Sequence, residues 1–193
     1  MLIVAQPKTG STSLLDSVGE VTGLDYTQEF GLVRRLPKAT LCSALRNSDM
    51  AEINIATMNR WTQLDLWRKQ HLVPSENNLN LVELKLIEGR KFVITLRKPI
   101  DALEAIKRLP RFRLKRKLKV MLESLEAFNL RWREFAWGKD QILIVEFEDL
   151  IANQSEVVNR VLQHYGRDER VPDDFRLPKR RYTGGGAVKF RFR

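Results

Sequence analysis

Residues 1–15 read MLIVAQPKTGSTSLL, and this stretch decides the fold. The apolar run Leu2-Ile3-Val4-Ala5 has the length and branching of a buried parallel strand. Pro7 ends it. Lys8-Thr9-Gly10-Ser11-Thr12-Ser13 is a short polar loop, and Leu14-Leu15 resume an apolar pattern. Strand, tight loop, helix is the expected order. Gly10 lets the backbone turn without a Cβ clash, and the hydroxyl run offers helix-capping oxygens. A helix N-terminus presents N–H groups and a partial positive charge to whatever lies ahead of it. With the Lys8 ammonium and the hydroxyls of Thr9, Ser11, Thr12 and Ser13, the stretch is a cradle for a phosphate or sulfate group. The plainer alternative is a βα turn with a surface lysine. The nucleotide-triphosphate loop is excluded, because there a second glycine precedes Lys-Ser/Thr, whereas here the lysine precedes the only loop glycine.

The chain has 193 residues, a length suited to one domain spanning 1–193 with a real hydrophobic core. A 43% hydrophobic and 30% charged composition is that of a soluble globular protein. No apolar run approaches the roughly 18 residues of a membrane-spanning helix. The first strand begins at residue 2, so the expectation is a cytoplasmic protein without signal peptide or anchor. Cys42 is the only cysteine, and His71 and His164 are the only histidines, which leaves no intrachain disulfide and argues against a metal site. The net charge of +10 favours an anionic partner without choosing among nucleotide, acidic glycan, nucleic acid and membrane surface. Lys107 to Lys119 holds eight basic residues and no acid, and Arg176 to Arg193 holds seven and none. The plain reading of both is a solvated basic face or tail.

Further strands are expected at Glu52 to Thr57, Lys91 to Leu96 and Gln141 to Phe147, with a short strand or helical turns between Val21 and Lys38. Helices are expected from Ser11 to about Val18, ending near Gly19; at Leu41 to Leu45 (one turn), Trp61 to Lys69 and Leu79 to Glu88; from Pro99 to about Leu109; from Lys115 to Trp137; and from Asn153 to Gly166. Asn153 with Glu156 three residues on has the spacing of a capping box. His164, late on that helix, reads as a helix-end residue interacting with the dipole. Trp61, Trp67, Trp132 and Trp137 read as core residues, with Trp61 and Trp67 the alternative sugar contacts. Strands alternating with helices predict an α/β fold, three-layer α/β/α around a central parallel sheet. Ligands in such sheets sit at the carboxyl ends of strands. That brings Lys8-Thr9-Gly10, Arg97-Lys98-Pro99 and Phe147-Glu148-Asp149 into one argument.

The loop PKTGSTS resembles the 5′-phosphosulfate-binding loop of sulfotransferases that use 3′-phosphoadenosine 5′-phosphosulfate (PAPS), especially the carbohydrate and heparan-type members. Leu96-Arg97-Lys98-Pro99-Ile100-Asp101 is similar to the family's 3′-phosphate motif, strand–Arg–x–Pro–x–Asp–helix, with Arg97 the matching arginine. The family's serine eight residues later is Ala105 here, a contact that Lys98 or a C-terminal basic residue would have to replace. Glu146-Phe147-Glu148-Asp149-Leu150 resembles the family's Tyr-Glu-Asp-Leu, with Phe147 in place of the tyrosine; Glu148 and Asp149 are expected to brace the Lys8 loop or cap a helix. His71, in Gln70-His71-Leu72-Val73-Pro74, lies 26 residues before Arg97, where cytosolic members place a catalytic histidine. A neutral imidazole suits the general base that the chemistry needs. Glu52, Glu76 and Glu83 are the reserve, because carbohydrate sulfotransferases often use a glutamate. The basic, glycine-rich end (residues 175–193), with Arg180, Arg181, Gly184 and Gly185, resembles a flap over the nucleotide.

The resemblance implies a P-loop-like sulfotransferase fold, PAPS as co-substrate, PAP (adenosine 3′,5′-bisphosphate) as product and no metal. It also implies a hydroxyl or amine acceptor, with an acidic glycan suited to the basic stretch. The alternatives are a P-loop-like kinase, against which the missing Gly-Lys-Ser/Thr loop argues, a nucleic-acid-binding protein and a non-catalytic nucleotide binder.

Overall fold

A computed structural model of the chain describes residues 1–5, 8–24, 26–27, 50–54, 91–108 and 118–177. Among these residues the strands are β1 (Leu2–Ala5), β2 (Tyr26–Thr27), β3 (Met50–Asn54), β4 (Phe92–Leu96) and β5 (Ile142–Glu146). The helices are α1 (Ser11–Thr22), α2 (Pro99–Lys107), α3 (Leu118–Ala136), α4 (Phe147–Ala152) and α5 (Gln154–His164). The strands form one sheet in the order β2-β3-β1-β4-β5, and every pairing is parallel. The expected helices at Leu41 to Leu45, Trp61 to Lys69 and Leu79 to Glu88 lie outside the described residues.

β4 is buried at all five positions, as an apolar strand covered on both faces must be. Side chains alternate across the sheet, and the packing follows that alternation. Ile3, Val93 and Val145 face Leu14, Leu15 and Val18 of α1, Leu150 of α4 and Val157, Val158, Val161 and Leu162 of α5. On the opposite face Phe92 meets Trp132 of α3 edge-on, with ring centroids 6.2 Å apart. α2 and α3 bury Ala102, Leu103, Ile106 and Leu125 between them. The three-layer α/β/α expectation is therefore met.

Several boundaries differ from the sequence reading. α1 runs past Gly19 to Thr22, and Gly23, at φ 66°, ends it. Gly19 is buried inside the helix, where the packing of the Leu14-Leu15-Val18 face outweighs the roughly 1 kcal/mol cost of a helical glycine. β3 begins two residues earlier than expected because its register is set by β1, with Leu2 opposite Ala51 and Ala5 opposite Asn54. β5 stops at Glu146, which pairs with Leu96, the last residue of β4; Phe147 already starts α4. Asn153 makes no side-chain cap. The chain enters α5 from α4, so the Asn153 N–H is taken by the Asp149 carbonyl at 2.8 Å and its own carbonyl accepts from Val157 at 2.9 Å. Trp137 is 87% exposed rather than in the core, because it lies in the turn beyond the end of α3.

His164 stands in the last turn of α5, the helix-end position expected of it, and makes a further contact. Its Nε2–H donates to the Phe92 carbonyl at 3.2 Å and ties the end of α5 to the start of β4. Burial lowers its pKa below the ordinary imidazole value, opposed by its contacts with the Phe92 and Gln141 backbone. The unfolded chain therefore binds the extra proton more readily, and stability conferred by neutral His164 is lost as pH falls below about 6.5. The melting temperature should drop between about pH 7 and pH 5, and His164→Gln should flatten that slope, as read by thermal denaturation across the range. Equal slopes for the two proteins would contradict it.

Candidate anion-binding site at the carboxyl end of β1 and β4

β1 and β4 are adjacent and parallel, yet the helices that follow them leave to opposite faces of the sheet. That is the topological switch point of an open α/β sheet, where a crevice opens beyond the carboxyl ends of the strands. Both turns singled out in the sequence, Lys8 to Ser13 and Arg97 to Asp101, leave the sheet there.

Gly10 occupies the N-cap of α1 at φ 74°, ψ 7°, and the first helical bond runs from Leu14 N–H to the Gly10 carbonyl at 3.0 Å. The expected hydroxyl cap is not formed: Ser11, Thr12 and Ser13 stand in the first turn and the cap position itself has no side chain. A glycine cap therefore contributes no oxygen that would compete with an anion for the first-turn N–H groups. No acidic residue lies in that turn. A Cβ on Gly10 would sit 3.0 Å from Leu150 Cδ2 and 3.4 Å from the Phe147 ring, in a backbone conformation that L-residues avoid. Gly10→Ala should cost about 1–3 kcal/mol in urea denaturation, from strain plus crowding; a loss below about 0.5 kcal/mol would contradict the fit.

Lys8 is half-buried and has φ 63°, a left-handed conformation that costs a lysine about 1–3 kcal/mol. Two contacts from the β4 side hold the loop. Thr9 is fully buried, with its hydroxyl 2.6 Å from that of Thr95, also fully buried. Arg97 Nη1 donates to the Lys8 carbonyl at 3.0 Å. The Arg97 guanidinium in turn lies over the Phe147 ring, 4.1 Å from its centroid, and the Arg97 carbonyl accepts from Asn129 Nδ2 at 2.8 Å. Burial lowers the Arg97 pKa from the ordinary guanidinium value, while Asp101 and Glu148 oppose the shift; an arginine stays cationic through such a change. Pro99 occupies the first turn of α2, as expected. Glu148 accepts from the Lys98 N–H at 3.3 Å. It thus braces the turn after β4. Ala105, half-buried on α2, brings no hydroxyl to the site.

The structure thus brings Lys8, Thr9, Gly10, Ser11, Thr12, Ser13 and Arg97 to one edge. His71, Glu76, Glu83, Arg180, Arg181, Gly184 and Gly185 lie outside the described residues. Glu52 is placed by its backbone only, in β3 opposite Ile3. The last described stretch runs back along α5: Asn159 clasps the Val171 backbone (3.1 and 2.8 Å), and Gln154 Oε1 accepts from Leu177 N–H at 2.6 Å. Leu177 therefore delivers the chain to the α5 N-terminus, on the side of the sheet's carboxyl edge.

Three contributors escaped the sequence reading. Phe147 registered as a missing phenol rather than as a ring beneath Arg97. Thr95 registered as a strand residue, although a threonine at the end of an otherwise apolar strand is a usable signal. Asn129 is buried in α3 among apolar neighbours, a second signal of the same kind.

No family model and no curated protein matches the chain. Solved structures do. Mouse sulfotransferase SULT7A1, complexed with PAP, superposes with a TM-score of 0.55 at 14% identity over 90% of this chain. A sulfotransferase from Alicyclobacillus acidocaldarius gives 0.53 at 13% identity, over 92% of this chain and 85% of its own. The chain spans 59% of the mouse enzyme's length. At this identity the likeness is one of architecture: the chain has the α/β fold of the sulfotransferases.

Proposed function

We propose that the protein is a PAPS-dependent sulfotransferase. The observation that carries this reading is the joining of two anion-binding turns at adjacent strand ends, with Arg97 of one bonded to the Lys8 carbonyl of the other. A ligand with phosphates at both ends of a nucleoside fits such a pair. The sulfotransferase fold, and the PAP held by the mouse neighbour, favour the same ligand.

In this reading Lys8 and the first-turn N–H groups of α1 hold the 5′-phosphosulfate. Arg97 anchors the 3′-phosphate, and Arg180, Arg181, Gly184 and Gly185 close over the nucleotide from the segment that follows Leu177. A base, His71 or one of Glu52, Glu76 and Glu83, takes the proton from an acceptor hydroxyl or amine. The acceptor oxygen or nitrogen bonds to sulfur, and the bond from sulfur to the bridging oxygen breaks with its electron pair left on that oxygen. Lys8 and the helix N-terminus stabilise the charge that develops there. The positive charge comes from the chain itself, so this reading calls for no metal. The basic stretch from Lys107 to Lys119 suits an acidic glycan acceptor.

Calorimetric titration with adenosine 3′,5′-bisphosphate and with ATP tests the reading. The bisphosphate should bind in clear preference, and Arg97→Ala should weaken it by about tenfold or more, the worth of a charge-assisted bond. Absent or equal binding of the two nucleotides would overturn it. His71→Ala should keep bisphosphate affinity; transfer at an unchanged rate would pass the base role to a glutamate.

A further inference from the structure

Lys8 holds a left-handed backbone without the freedom of a glycine. Something outside the loop must keep it there, and besides the Thr9–Thr95 bond to β4 the neighbouring contacts come from the turn after β4 and from α4. The Lys8 carbonyl accepts from Arg97 Nη1 at 3.0 Å. The guanidinium that donates this bond rests on the face of Phe147, 4.1 Å from the ring centroid. The same ring approaches the loop a second time, with Cδ2 and Cε2 both 3.4 Å from where a Gly10 Cβ would project. The Arg97 backbone is fixed from behind by Asn129.

We propose that Arg97 and Phe147 act together as a strut that holds the Lys8–Gly10 turn in its anion-binding shape, so that Arg97 is a positioning residue for the first anion site as well as a ligand of the second. An arginine is needed, because a planar guanidinium can lie flat on a ring and donate from its edge at the same time. A ring face is needed at residue 147, and a phenolic hydroxyl is not, which accounts for phenylalanine serving at this position. The strut itself follows from the contacts; only the identity of the anion rests on the sulfotransferase reading.

Hydrogen exchange of the ligand-free protein, followed by mass spectrometry, tests the strut without any ligand. Arg97→Ala and Phe147→Ala should speed exchange in residues 8–14 by about tenfold, the scale of one lost hydrogen bond or cation–π contact. Exchange in α5 should be unaltered. Arg97→Lys should resemble Arg97→Ala, and Phe147→Tyr should restore the wild-type rate. Where Phe147→Ala also opens α5, Phe147→Leu, which fills the space without a π face, replaces it. Loop exchange unchanged in Arg97→Ala, or equally fast in Phe147→Tyr and Phe147→Leu, would overturn the proposal.

A second measurement separates this inference from the proposed activity. Adenosine 5′-monophosphate lacks the 3′-phosphate, so a residue that touches only that phosphate should not affect its binding. Under the strut, Arg97→Ala and Phe147→Ala both weaken it by several-fold; affinity equal to wild type in both would contradict the strut while leaving the sulfotransferase reading intact. A wild-type protein that binds neither adenosine phosphate overturns that reading instead, and the exchange rates then decide the strut alone.

Discussion

Lys8→Ala should weaken adenosine 3′,5′-bisphosphate binding by about ten- to a hundredfold, the worth of a charge-assisted contact, while the protein melts close to the wild-type temperature. The two halves of this result have different causes. The tie between the Lys8 loop and β4 uses the Lys8 carbonyl, which receives the Arg97 guanidinium, and the hydroxyls of Thr9 and Thr95. None of these is removed with the lysine side chain, so the turn keeps its shape. What is lost is the ammonium, the one side-chain cation in the stretch from Lys8 to Ser13, which otherwise offers N–H and hydroxyl dipoles. Transfer should suffer more than binding, by about a hundred- to a thousandfold, because the group opposes charge that appears only as the sulfur–oxygen bond breaks. Calorimetry paired with a thermal melt checks the first part; unchanged affinity would remove Lys8 from the cradle.

Trp132→Ala should cost about 3–5 kcal/mol, enough to unfold a marginal domain. Trp132 is 3% exposed and meets Phe92 and Phe135 edge-on, with centroid distances of 6.2 and 5.7 Å. It therefore joins α3 to the interior strand β4. Trp132→Phe, which keeps an aromatic ring, should cost less. Trp137→Ala, five residues on, should stay within about 0.5 kcal/mol, because its side chain is in water. Urea denaturation of the three variants reads all of this; equal losses at Trp132 and Trp137 would contradict the packing.

These two tryptophans mark where the sequence stops being informative. Both are bulky aromatic residues of one expected helix, so both read as core. The helix ends at Ala136, and Gly138, at φ 70°, turns the chain towards β5, so Trp137 is left just beyond the packed face. Gly19 misleads in the opposite direction. Its low helix propensity suggests a stop, yet α1 continues because its apolar face is already packed on the sheet. Phe147 reads as a tyrosine lost; only when α4 folds back beside the Lys8 loop does its ring face acquire Arg97 as a partner. Asn153 has the residues of a capping box, and the preceding helix supplies the bond instead.

What the sequence by itself determined is local. An apolar strand, a lysine, a glycine and a hydroxyl run must form a strand, turn and helix start with anion-binding character, because hydrophobic burial and backbone sterics act over a few residues. The same holds for the buried strand that ends in Arg97 and the proline-started helix after it. What only the tertiary structure decided is that these two turns are neighbours. β1 and β4 are separated by most of a hundred residues, and their adjacency comes from a sheet order fixed by register and by helices packing on both faces. From that adjacency come the Thr9–Thr95 bond, the Arg97 bond to the Lys8 carbonyl and the ring beneath it, none of which has a signature in sequence spacing.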